Sequence, residues 1–413
     1  MDKEKLVVLL TRRFPYLPGE QFLEEEIVCW DKYFKGNILI IPSKSVGVSR
    51  EMPKDVYVKR LDGRQSKRSK SFIVLKTLFS SLFIREIFFL LFRRKEVKYK
   101  LFKIAFLTSY RVLSFVSIYK RLLKERLKRE VIIYSYWNSV ESYAAAILRQ
   151  KQNKYKIKLI SRAHGFDVYE ERRQFAYMPL KWQFKDSFDR VLAISEQGKF
   201  YLDKTYQMKN ISVERLGVNI SEGICASTDD GCLVVLSLSY CTPIKRVDRI
   251  IEAISAFKRA NPRIEVTWHH IGDGIEMVNL KKMSEQLFNG QGIKWRFHGD
   301  KRNSEVHDFL KTNKVDVLLN TSESEGVPVS IMEAMSYGVP AIAPDVGGIR
   351  ELVLPQNGIL MSPSPSEQEI VFALQKGDFF KSEKIRMAAK EHIKTYYNSK
   401  ENYRRVIDMI DNS

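Results

Sequence analysis

The chain has 413 residues, 44% of them hydrophobic, which is enough for about two or three domains with full cores. Its four cysteines lack the spacing of a metal site and are too few for a disulfide framework, so we expect a reducing compartment. The 69 Lys and Arg residues outnumber the 49 Asp and Glu residues and give a formal net charge of +20, which indicates an anionic partner.

The first half of the chain alternates strand-like and helical segments. It opens with a strand at Leu6–Leu10, without a secretory leader, which favours a cytoplasmic location. The loop TRRFPYLPGEQF and a helix with Glu24, Glu25 and Glu26 in its first turn follow. This alternation predicts a parallel α/β domain over residues 1–218. Its further strands are expected at Gly36–Pro42, Val131–Trp137, Ile157–Gly165 and Arg190–Ser195.

Residues 64–129 interrupt this pattern with basic, aromatic-rich helical sequence. The stretch 59–129 holds 21 basic and 4 acidic side chains, so most of the excess positive charge lies here. Its two apolar runs, within 77–84 and 87–92, are far shorter than the ~20 residues of a spanning helix. We therefore expect helices that lie on an anionic membrane; ordinary core-covering helices with a solvated basic face are the alternative. The cations expected to face lipid are Lys67, Arg68, Lys70, Arg93, Arg94, Lys95, Lys98 and Lys100.

The second half begins after a polar, turn-rich stretch, and we place the interdomain linker at 219–231. A second alternating series predicts another α/β domain over 232–394. Residues from about 385 to 410 read as one helix, and its end, 395–413, is expected to pack back on the N-terminal domain. Strands are expected at Cys232–Ser239, Val266–Gly274 and Ile293–Asp300, and helices at Val247–Ala260, Ile275–Leu287 and Glu305–Thr312.

The most informative segment is Thr321–Leu352, TSESEGVPVSIMEAMSYGVPAIAPDVGGIREL. It reads as loop, helix, strand and loop, entered from the apolar strand Val315–Asn320. Glu325 and Glu333 lie eight positions apart, in the loop and on the helix. Ligands of open parallel sheets bind at the carboxyl ends of the strands, where a helix N-terminus offers N–H groups to phosphate. The segment therefore predicts one wall of a nucleotide site; a solvated helix face for both glutamates is the alternative.

This segment resembles the E-x7-E signature of the retaining glycosyltransferases of family 4, bacterial polysaccharide-assembly type. CTPIKRVDRIIEAI, at Cys241–Ile254, resembles the phosphate-lysine segment of that family. RFPYLPGEQFLEEE resembles the N-terminal glycine loop of its polysaccharide-assembly members, and SRAHGFDVY resembles the segment with the histidine at the cleft. The resemblance covers most of the chain except about 50–130. It implies the GT-B fold, with two Rossmann-like domains that face each other across a cleft.

The resemblance implies a nucleotide-sugar donor in the C-terminal domain. A diphosphate leaving group needs positive charge, and Lys245 would supply it, with Arg246 as a helper. A helix-start lysine in solvent is the alternative. The N–H groups of Val329 and Ser330 would hold phosphate oxygens, and Glu333 would accept the ribose hydroxyls. The other implied donor contacts are Glu325 at the sugar hydroxyls, the backbone of Gly326, Val327 and Pro328 along the sugar, and His298 beside the base.

In the N-terminal domain the resemblance places His164 beside the donor sugar and the reacting centre, so His164 and Glu325 are the catalytic candidates. A satisfied buried histidine is the alternative. Arg162 and Asp167 flank it and are expected to touch acceptor or phosphate. Gly19, with Glu20, would let the backbone approach the β-phosphate or the acceptor closely.

Two features of the sequence bear on the reaction. Many family members have an arginine five or six positions before the phosphate lysine, where this chain has Ser239 and Tyr240. No Asp-x-Asp motif occurs, so neither a metal nor another cofactor is expected. Since no carboxylate is clearly placed as a nucleophile, the resemblance implies front-face, retaining transfer assisted by the departing phosphate.

The resemblance thus implies transfer of a hexose from a nucleotide sugar, UDP-sugar favoured over GDP-sugar, to a lipid-linked oligosaccharide. Such an enzyme would serve capsule, exopolysaccharide or O-antigen assembly as a peripheral protein on the inner face of the cell membrane. The expected partners are the nucleotide sugar, the lipid-linked acceptor and the anionic membrane. Nucleic acid is not expected, since no binding module accompanies the charge. The alternatives are a nucleotide-sugar 2-epimerase of the same fold and a non-catalytic membrane scaffold.

Overall fold

The structure is a computed structural model that describes residues 5–17, 19–61, 67–124, 130–151 and 156–411. The chain forms two compact units. Unit 1 is the chain up to Glu214 together with the chain from Tyr403 onward, and unit 2 is Arg215–Asn402. The stretch expected as a linker packs on unit 2, because the N–H of Cys225 donates to the Tyr337 carbonyl at 2.8 Å.

Unit 1 is built on a seven-stranded parallel sheet in the order β3-β2-β1-β4-β5-β6-β7. Strand β1, in the interior of the sheet, is buried on both faces, which is why the sequence there is a continuous apolar run. The strands are β1 Lys5–Thr11, β2 Ile38–Pro42, β3 Val56–Val58, β4 Glu130–Ser135, β5 Lys156–Ala163, β6 Arg190–Ala193 and β7 Ile211–Val213.

Helices cover both faces of this sheet. One face packs on α4, α5 and α8, and the other packs on α1 and on the end of the last helix of the chain, through Val406, Ile407 and Ile410. The helices of unit 1 are α1 Leu23–Tyr33, α2 Lys67–Leu78, α3 Ser81–Phe88, α4 Tyr99–Lys124, α5 Val140–Gln150, α6 Gly165–Val168, α7 Lys181–Phe184 and α8 Glu196–Tyr206.

The basic segment forms α2, α3 and α4; its ends, 64–66 and 125–129, lie outside the described residues. The expectation that no helix here has spanning length is wrong for α4. It was based on the two apolar runs within 77–84 and 87–92, and both of these lie before α4 begins at Tyr99. Tyr99–Leu123 is long and apolar enough to cross a membrane by length and composition, a test that core helices of soluble proteins also pass. Val112, Tyr119 and Leu123 of α4 are buried in the core that α5 shares.

Unit 2 is built on a six-stranded parallel sheet in the order β10-β9-β8-β11-β12-β13. The buried stripe of its first helix, α9, includes Ile250, Ile254 and Phe257, at helical spacing. Its strands are β8 Cys232–Leu238, β9 Glu265–Ile271, β10 Lys294–Phe297, β11 Val317–Leu319, β12 Ala341–Pro344 and β13 Gly358–Met361. The remaining helices of the chain are α9 Val247–Ala260, α10 Met277–Phe288, α11 Asn303–Thr312, α12 Val329–Ser336, α13 Glu367–Leu374, α14 Gly377–Lys381, α15 Glu383–Tyr396 and α16 Ser399–Asp411.

The single helix expected from about 385 to 410 is in fact two, α15 and α16. Between them the backbone turns to meet the segment at Val218. The N–H of Val218 donates to the Tyr397 carbonyl at 2.8 Å, and the N–H of Ser399 donates to the Val218 carbonyl at 3.0 Å. These bonds replace helical hydrogen bonds and end α15. The part of α16 from Tyr403 onward belongs to unit 1, where Lys5 Nζ lies 2.8 Å from Asp411 Oδ1.

Candidate functional site

The candidate donor site lies at the carboxyl ends of β8 and β11 in unit 2. After β11 the chain passes through a loop and enters α12 at Val329, directly after Pro328. The N–H groups of the first turn of a helix have no partner within the helix, so they are available to an anion. The structure thus places Val329 and Ser330 at a helix start, as predicted from the Gly/Pro pattern.

Lys245 and Glu325 meet at this edge of the sheet. Lys245 Nζ lies 2.6 Å from Glu325 Oε1, and the side-chain amide of Asn320 lies 3.5 Å from the same oxygen. The Glu325 carboxylate is 9% exposed and the Lys245 side chain 22%, so the pair is shielded from water on most sides. The cation predicted for phosphate and the carboxylate predicted for sugar therefore form one ion pair, with Asn320 as a neighbour that the sequence did not single out.

Hydrogen bonds between two loops hold Lys245 in this position. A 3₁₀ turn over Pro243–Lys245 follows β8, and the N–H of Glu323 donates to the Ile244 carbonyl at 2.9 Å. The hydroxyl of Thr321 donates to the Arg246 carbonyl at 2.7 Å. The loop after β11 therefore fixes the turn that carries the lysine.

Arg246, the predicted helper, has two acidic neighbours. Its Nη2 lies 2.9 Å from an Asp248 oxygen, and its Nη1 lies 2.5 Å from Glu323 Oε1. Hydrogen bonds to Asp248 and to Glu323 raise the pKa of Arg246. Much of its charge is already balanced, in contrast to an arginine kept for phosphate alone.

Gly347 lets a third loop close on the site. Its φ is 59°, and a Cβ added there would lie 1.9 Å from the backbone oxygen of Glu325. Its neighbour Gly348 donates its N–H to the Gly326 carbonyl at 2.6 Å. The glycine pair after β12 therefore shapes the backbone at Glu325 and Gly326, a role that the sequence pattern did not reveal.

Glu333 and His298 complete the predicted donor residues. Glu333 lies in the second turn of α12 and is buried. His298 follows β10, and its Nε2 lies 3.2 Å from His269 Nδ1. Burial, and then the neighbouring His269, lower the pKa of His298 to about 4, so this ring is neutral near pH 7. Val327, between Gly326 and the helix, is buried.

His164 lies in unit 1, at the carboxyl end of β5. Its ring packs against Tyr136, Trp137 and Phe22, with ring centroids 4.8, 4.7 and 5.7 Å away. Burial, and then the positive charge of Arg162, lower the pKa of His164 to about 3. Among the described residues, its buried Nε2 has no hydrogen-bond partner. A neutral ring with an unused acceptor can receive a hydrogen bond but cannot act as a general acid near pH 7.

Two residues predicted to touch acceptor or phosphate, Arg162 and Asp167, serve the fold of unit 1. Arg162 is fully buried and pairs with Glu26 at 3.2 Å, so it offers no surface to an acceptor. The Asp167 carboxylate accepts the N–H groups of His164 and Asn138, each at 2.5 Å. One of these donors is at the start of α6 and the other is in the loop after β4, so this carboxylate joins the two segments.

The loop after β1 uses Glu20 in the same way. Its carboxylate accepts the N–H groups of Arg12, Arg13 and Phe14 at 3.0, 2.6 and 2.6 Å, and the indole N–H of Trp137 at 2.6 Å. Four donors leave it little capacity for an acceptor hydroxyl. Gly19 before it has a φ of 94°, with no atom within 4 Å of an added Cβ. The positive φ favours glycine here, and no described atom fills the space beside it, so its approach to phosphate or acceptor stays a prediction.

Most of unit 2 is similar to a known protein family. Residues 227–396 match the model of glycosyl transferases group 1. This range includes Lys245, Glu325, Glu333 and all six strands of the sheet in unit 2.

Two curated relatives match parts of the chain. The lipopolysaccharide 1,6-galactosyltransferase of Salmonella typhimurium is 36% identical over 97 residues, which are 23% of this chain and 26% of the relative. The O-antigen biosynthesis glycosyltransferase WbnH of Escherichia coli is 28% identical over 166 residues, 39% of this chain and 44% of the relative. The chain thus spans less than half the length of these relatives in the matched regions.

The fold has solved counterparts over its whole length. The structure of HepE from Anabaena in complex with UDP has a TM-score of 0.64, at 16% identity, over 99% of this chain and 100% of that one. Two parallel-sheet α/β units with such neighbours have the GT-B fold of glycosyltransferases, as predicted.

Proposed function

We propose that the protein is a retaining, metal-independent glycosyltransferase of family 4. In this proposal it moves a hexose from a nucleotide sugar to a lipid-linked oligosaccharide in capsule, exopolysaccharide or O-antigen assembly. The observation that carries the proposal is the Lys245–Glu325 ion pair at the carboxyl ends of β8 and β11. It lies within the region that matches glycosyl transferases group 1, and both curated relatives are named for lipopolysaccharide or O-antigen synthesis.

The donor chemistry follows from the charges around this pair. When the glycosidic bond breaks, negative charge grows on the diphosphate, and Lys245 with the first turn of α12 places positive charge beside it. Glu325 holds the lysine in position and offers its second oxygen to the sugar hydroxyls. Glu333, buried one turn further into α12, accepts the ribose hydroxyls. A UDP-sugar is the favoured donor, and the UDP held by HepE supports this choice.

In the proposed retaining mechanism, the donor phosphate, and not a protein side chain, acts as the base. His164 is neutral because burial and Arg162 lower its pKa to about 3, so near pH 7 it is not the imidazolium that a general acid would need. We assign it to a contact with the donor sugar, through the Nε2 atom that lacks a partner among the described residues. The departing phosphate then accepts the proton of the acceptor hydroxyl on the same face of the sugar.

The membrane part of the proposal rests on the exposed side chains of residues 71–103, here called the insert surface, which covers α2, α3, the start of α4 and the segments between these helices. Phe72, Phe79, Phe92 and Tyr99 are 67 to 80% exposed, which is unusual for aromatic residues. Apolar rings mixed with cations suit a protein that lies on an anionic bilayer, and this supports a peripheral position on the inner face of the cell membrane. The exposed cations of the insert surface are Lys76, Arg85, Arg93, Lys95, Lys98, Lys100 and Lys103.

Two details refine the set of lipid-facing cations. Arg94, expected to face lipid, instead turns inward: its Nη1 donates to the Ala176 carbonyl at 2.8 Å, and its Nη2 lies 2.9 Å from Glu96 Oε1. The side chains of Lys67, Arg68 and Lys70 lie outside the described residues.

The decisive experiment incubates the full chain with a panel of UDP- and GDP-sugars and measures nucleoside diphosphate release. Release that requires a lipid-linked saccharide acceptor is the expected result. Conversion of a nucleotide sugar to its epimer without acceptor would establish the 2-epimerase alternative. Absence of both release and donor binding would leave only the scaffold alternative and refute the proposal.

A further inference from the structure

A cavity of about 620 Å³ lies in unit 1 at the carboxyl ends of β1, β2, β4 and β5. One side is closed by α4, and another by the chain from Arg173 to Pro179. Four of its lining residues carry a positive charge: Arg12, Lys44, Arg111 and Arg173. None of them was singled out by the sequence analysis, because they come from four separate parts of the chain.

The acidic residues of the cavity are already engaged. Glu141 accepts the hydroxyls of Ser43 and Ser139 at 2.7 and 2.9 Å, and Asp167 accepts two backbone N–H groups. In the part of the chain that the structure describes, no carboxylate lies within 4 Å of the charged nitrogens of the four cations. The cavity therefore holds four cations that form no salt bridge among the described residues, although Asp167 in its lining acts electrostatically on Arg173.

Two of the cations are held rigidly around one aromatic ring. The Arg12 guanidinium lies 5.0 Å from the ring centroids of both Trp137 and Phe166, and the Arg173 guanidinium lies 3.4 Å from that of Phe166. The buried Nε of Arg173 has no hydrogen-bond partner among the described residues. The two like charges beside one ring repel each other, and an anion bound between them would offset that repulsion and could accept the unused donor.

The wall from Arg173 to Pro179 is built on the insert. Phe175, Ala176 and Leu180 have φ angles of 61°, 45° and 68°, which are costly for residues other than glycine. Glu86 of α3 holds this conformation, because its carboxylate accepts the Tyr177 hydroxyl at 2.6 Å and the Leu180 N–H at 2.9 Å. The same helices that carry the insert surface therefore shape the cavity.

We propose that this cavity binds the phosphate or diphosphate group that joins the acceptor saccharide to its lipid. This inference rests on the proposed function, since it assumes a lipid-linked acceptor. Guanidinium groups bind phosphate oxygens in pairs, and the four cations are enough to neutralise the two negative charges of a diphosphate diester. The volume exceeds that of a diphosphate and leaves room for the first sugar or the first lipid carbons, beside the apolar Ile104 and Phe115.

The construction of the cavity favours this ligand over a soluble phosphate. A soluble anion needs only the cations, whereas a lipid-linked one must reach them from the bilayer. The cavity is lined by α4, whose first residue, Tyr99, is 80% exposed on the insert surface. An acceptor that enters along α4 meets Thr108 and Arg111 one and two turns beyond Ile104.

The first test measures binding of a short isoprenoid diphosphate, farnesyl diphosphate, to the full chain by isothermal titration calorimetry. The variant Lys44→Gln/Arg111→Gln removes the two exposed cations of the cavity, so the fold is retained. Affinity is expected to fall about a hundredfold for the pair, or tenfold for each lost charge-assisted contact. The matched control Lys95→Gln/Lys98→Gln removes two cations of the insert surface and should keep the affinity. Equal loss in both variants, or no binding by the parent chain, overturns the proposal.

Two further measurements distinguish an acceptor diphosphate from a phospholipid headgroup, and the cavity proposal from the proposed function. The variant Lys44→Gln/Arg111→Gln should still bind vesicles of phosphatidylglycerol. If instead this variant loses vesicle binding and the parent chain has no affinity for farnesyl diphosphate, the cavity binds a phospholipid headgroup. That result would refute binding of the acceptor diphosphate. UDP affinity should be unchanged in this variant. A parent chain that binds farnesyl diphosphate but neither UDP nor UDP-sugars would refute the proposed function while the cavity assignment to a lipid diphosphate stood.

Discussion

Lys245 Nζ lies 2.6 Å from Glu325 Oε1 across two loops that are 80 residues apart in the chain. The lysine is therefore held in place before any phosphate arrives, and an arriving diphosphate meets a cation whose rotamer is already fixed. Such preorganisation lowers the entropy cost of binding. The pair also explains why Glu325 can be buried at the loop, since a buried carboxylate needs a charged partner.

The first prediction concerns this lysine. Lys245→Gln should weaken UDP binding about tenfold or more, because a charge-assisted contact to phosphate is lost. Arg246→Gln is the matched control, because that guanidinium is held by two carboxylates, Asp248 and Glu323, whereas Lys245 pairs with one, and its effect should be under about threefold. Titration calorimetry with UDP gives both values. Equal losses in the two variants would mean that the phosphates do not distinguish Lys245 from Arg246.

The second prediction assigns Glu333 to the ribose. Glu333→Gln keeps the shape of the buried side chain but weakens acceptance of hydroxyl donors, so UDP affinity should fall about tenfold. Binding of 2′-deoxy-UDP should already be weak in the parent chain and should change little further in the variant. If the variant weakens UDP and 2′-deoxy-UDP by the same factor, Glu333 does not contact the 2′-hydroxyl.

The third prediction concerns the glycine that closes the site. Gly347→Ala should lower the free energy of unfolding by more than about 2 kcal/mol, because its Cβ would strike the Glu325 backbone oxygen and its φ is positive. Gly290→Ala isolates the cost of positive φ, since nothing lies within 4 Å of its added Cβ, and should cost only about 1 kcal/mol. Urea denaturation measures both. A similar cost in both variants would show that the loops can move apart without penalty.

How well the sequence predicts a structural feature of this protein depends on how far apart in the chain the interacting residues lie. The parallel strands were predictable because a strand buried on both faces reads as one apolar run, as at Leu6–Leu10. The start of α12 after Pro328 was equally predictable, from a local pattern that ends one element and begins the next. The boundary between the units after Glu214 and the break between α15 and α16 near Tyr397 were not predictable. Both depend on which distant segment the backbone contacts.

The roles of the polar residues were harder to predict than the elements that carry them. Glu20 and Asp167 lie in loops at strand ends, where a ligand contact is a fair expectation. Which backbone N–H groups a turn leaves unsatisfied depends on its three-dimensional course, and both carboxylates turned out to accept such groups. The meeting of Arg12, Arg111 and Arg173 at one cavity is likewise invisible in a sequence, since it depends on the placement of α4.

The fourth prediction is a pH dependence of stability that comes from His164. Its pKa is about 3 in the folded protein and about 6.5 when unfolded, so between these values the unfolded chain binds one proton more. Stability should therefore fall as pH drops below 6.5, by about 1.4 kcal/mol per pH unit for this group. Below pH 6.5, His164→Asn should reduce the slope of the unfolding free energy against pH by that amount. Between pH 7 and 8 the slopes of the parent chain and of the variant should agree. An unchanged slope between pH 6 and 5 would contradict the neutral, buried ring.

The fifth prediction tests the insert surface. Replacing Lys95, Lys98 and Lys100 by Gln should reduce binding to phosphatidylglycerol vesicles about a hundredfold, because each cation near an anionic bilayer contributes ~1 kcal/mol. The matched control replaces three exposed lysines of unit 2, Lys281, Lys282 and Lys311, so that the loss of net charge is identical. Vesicle sedimentation at 0.1 M salt measures both variants. If the control also detaches, net charge alone drives the attraction; only a loss confined to the first variant places the contact on α2, α3 and α4, where the exposed Phe79 and Tyr99 lie beside the cations.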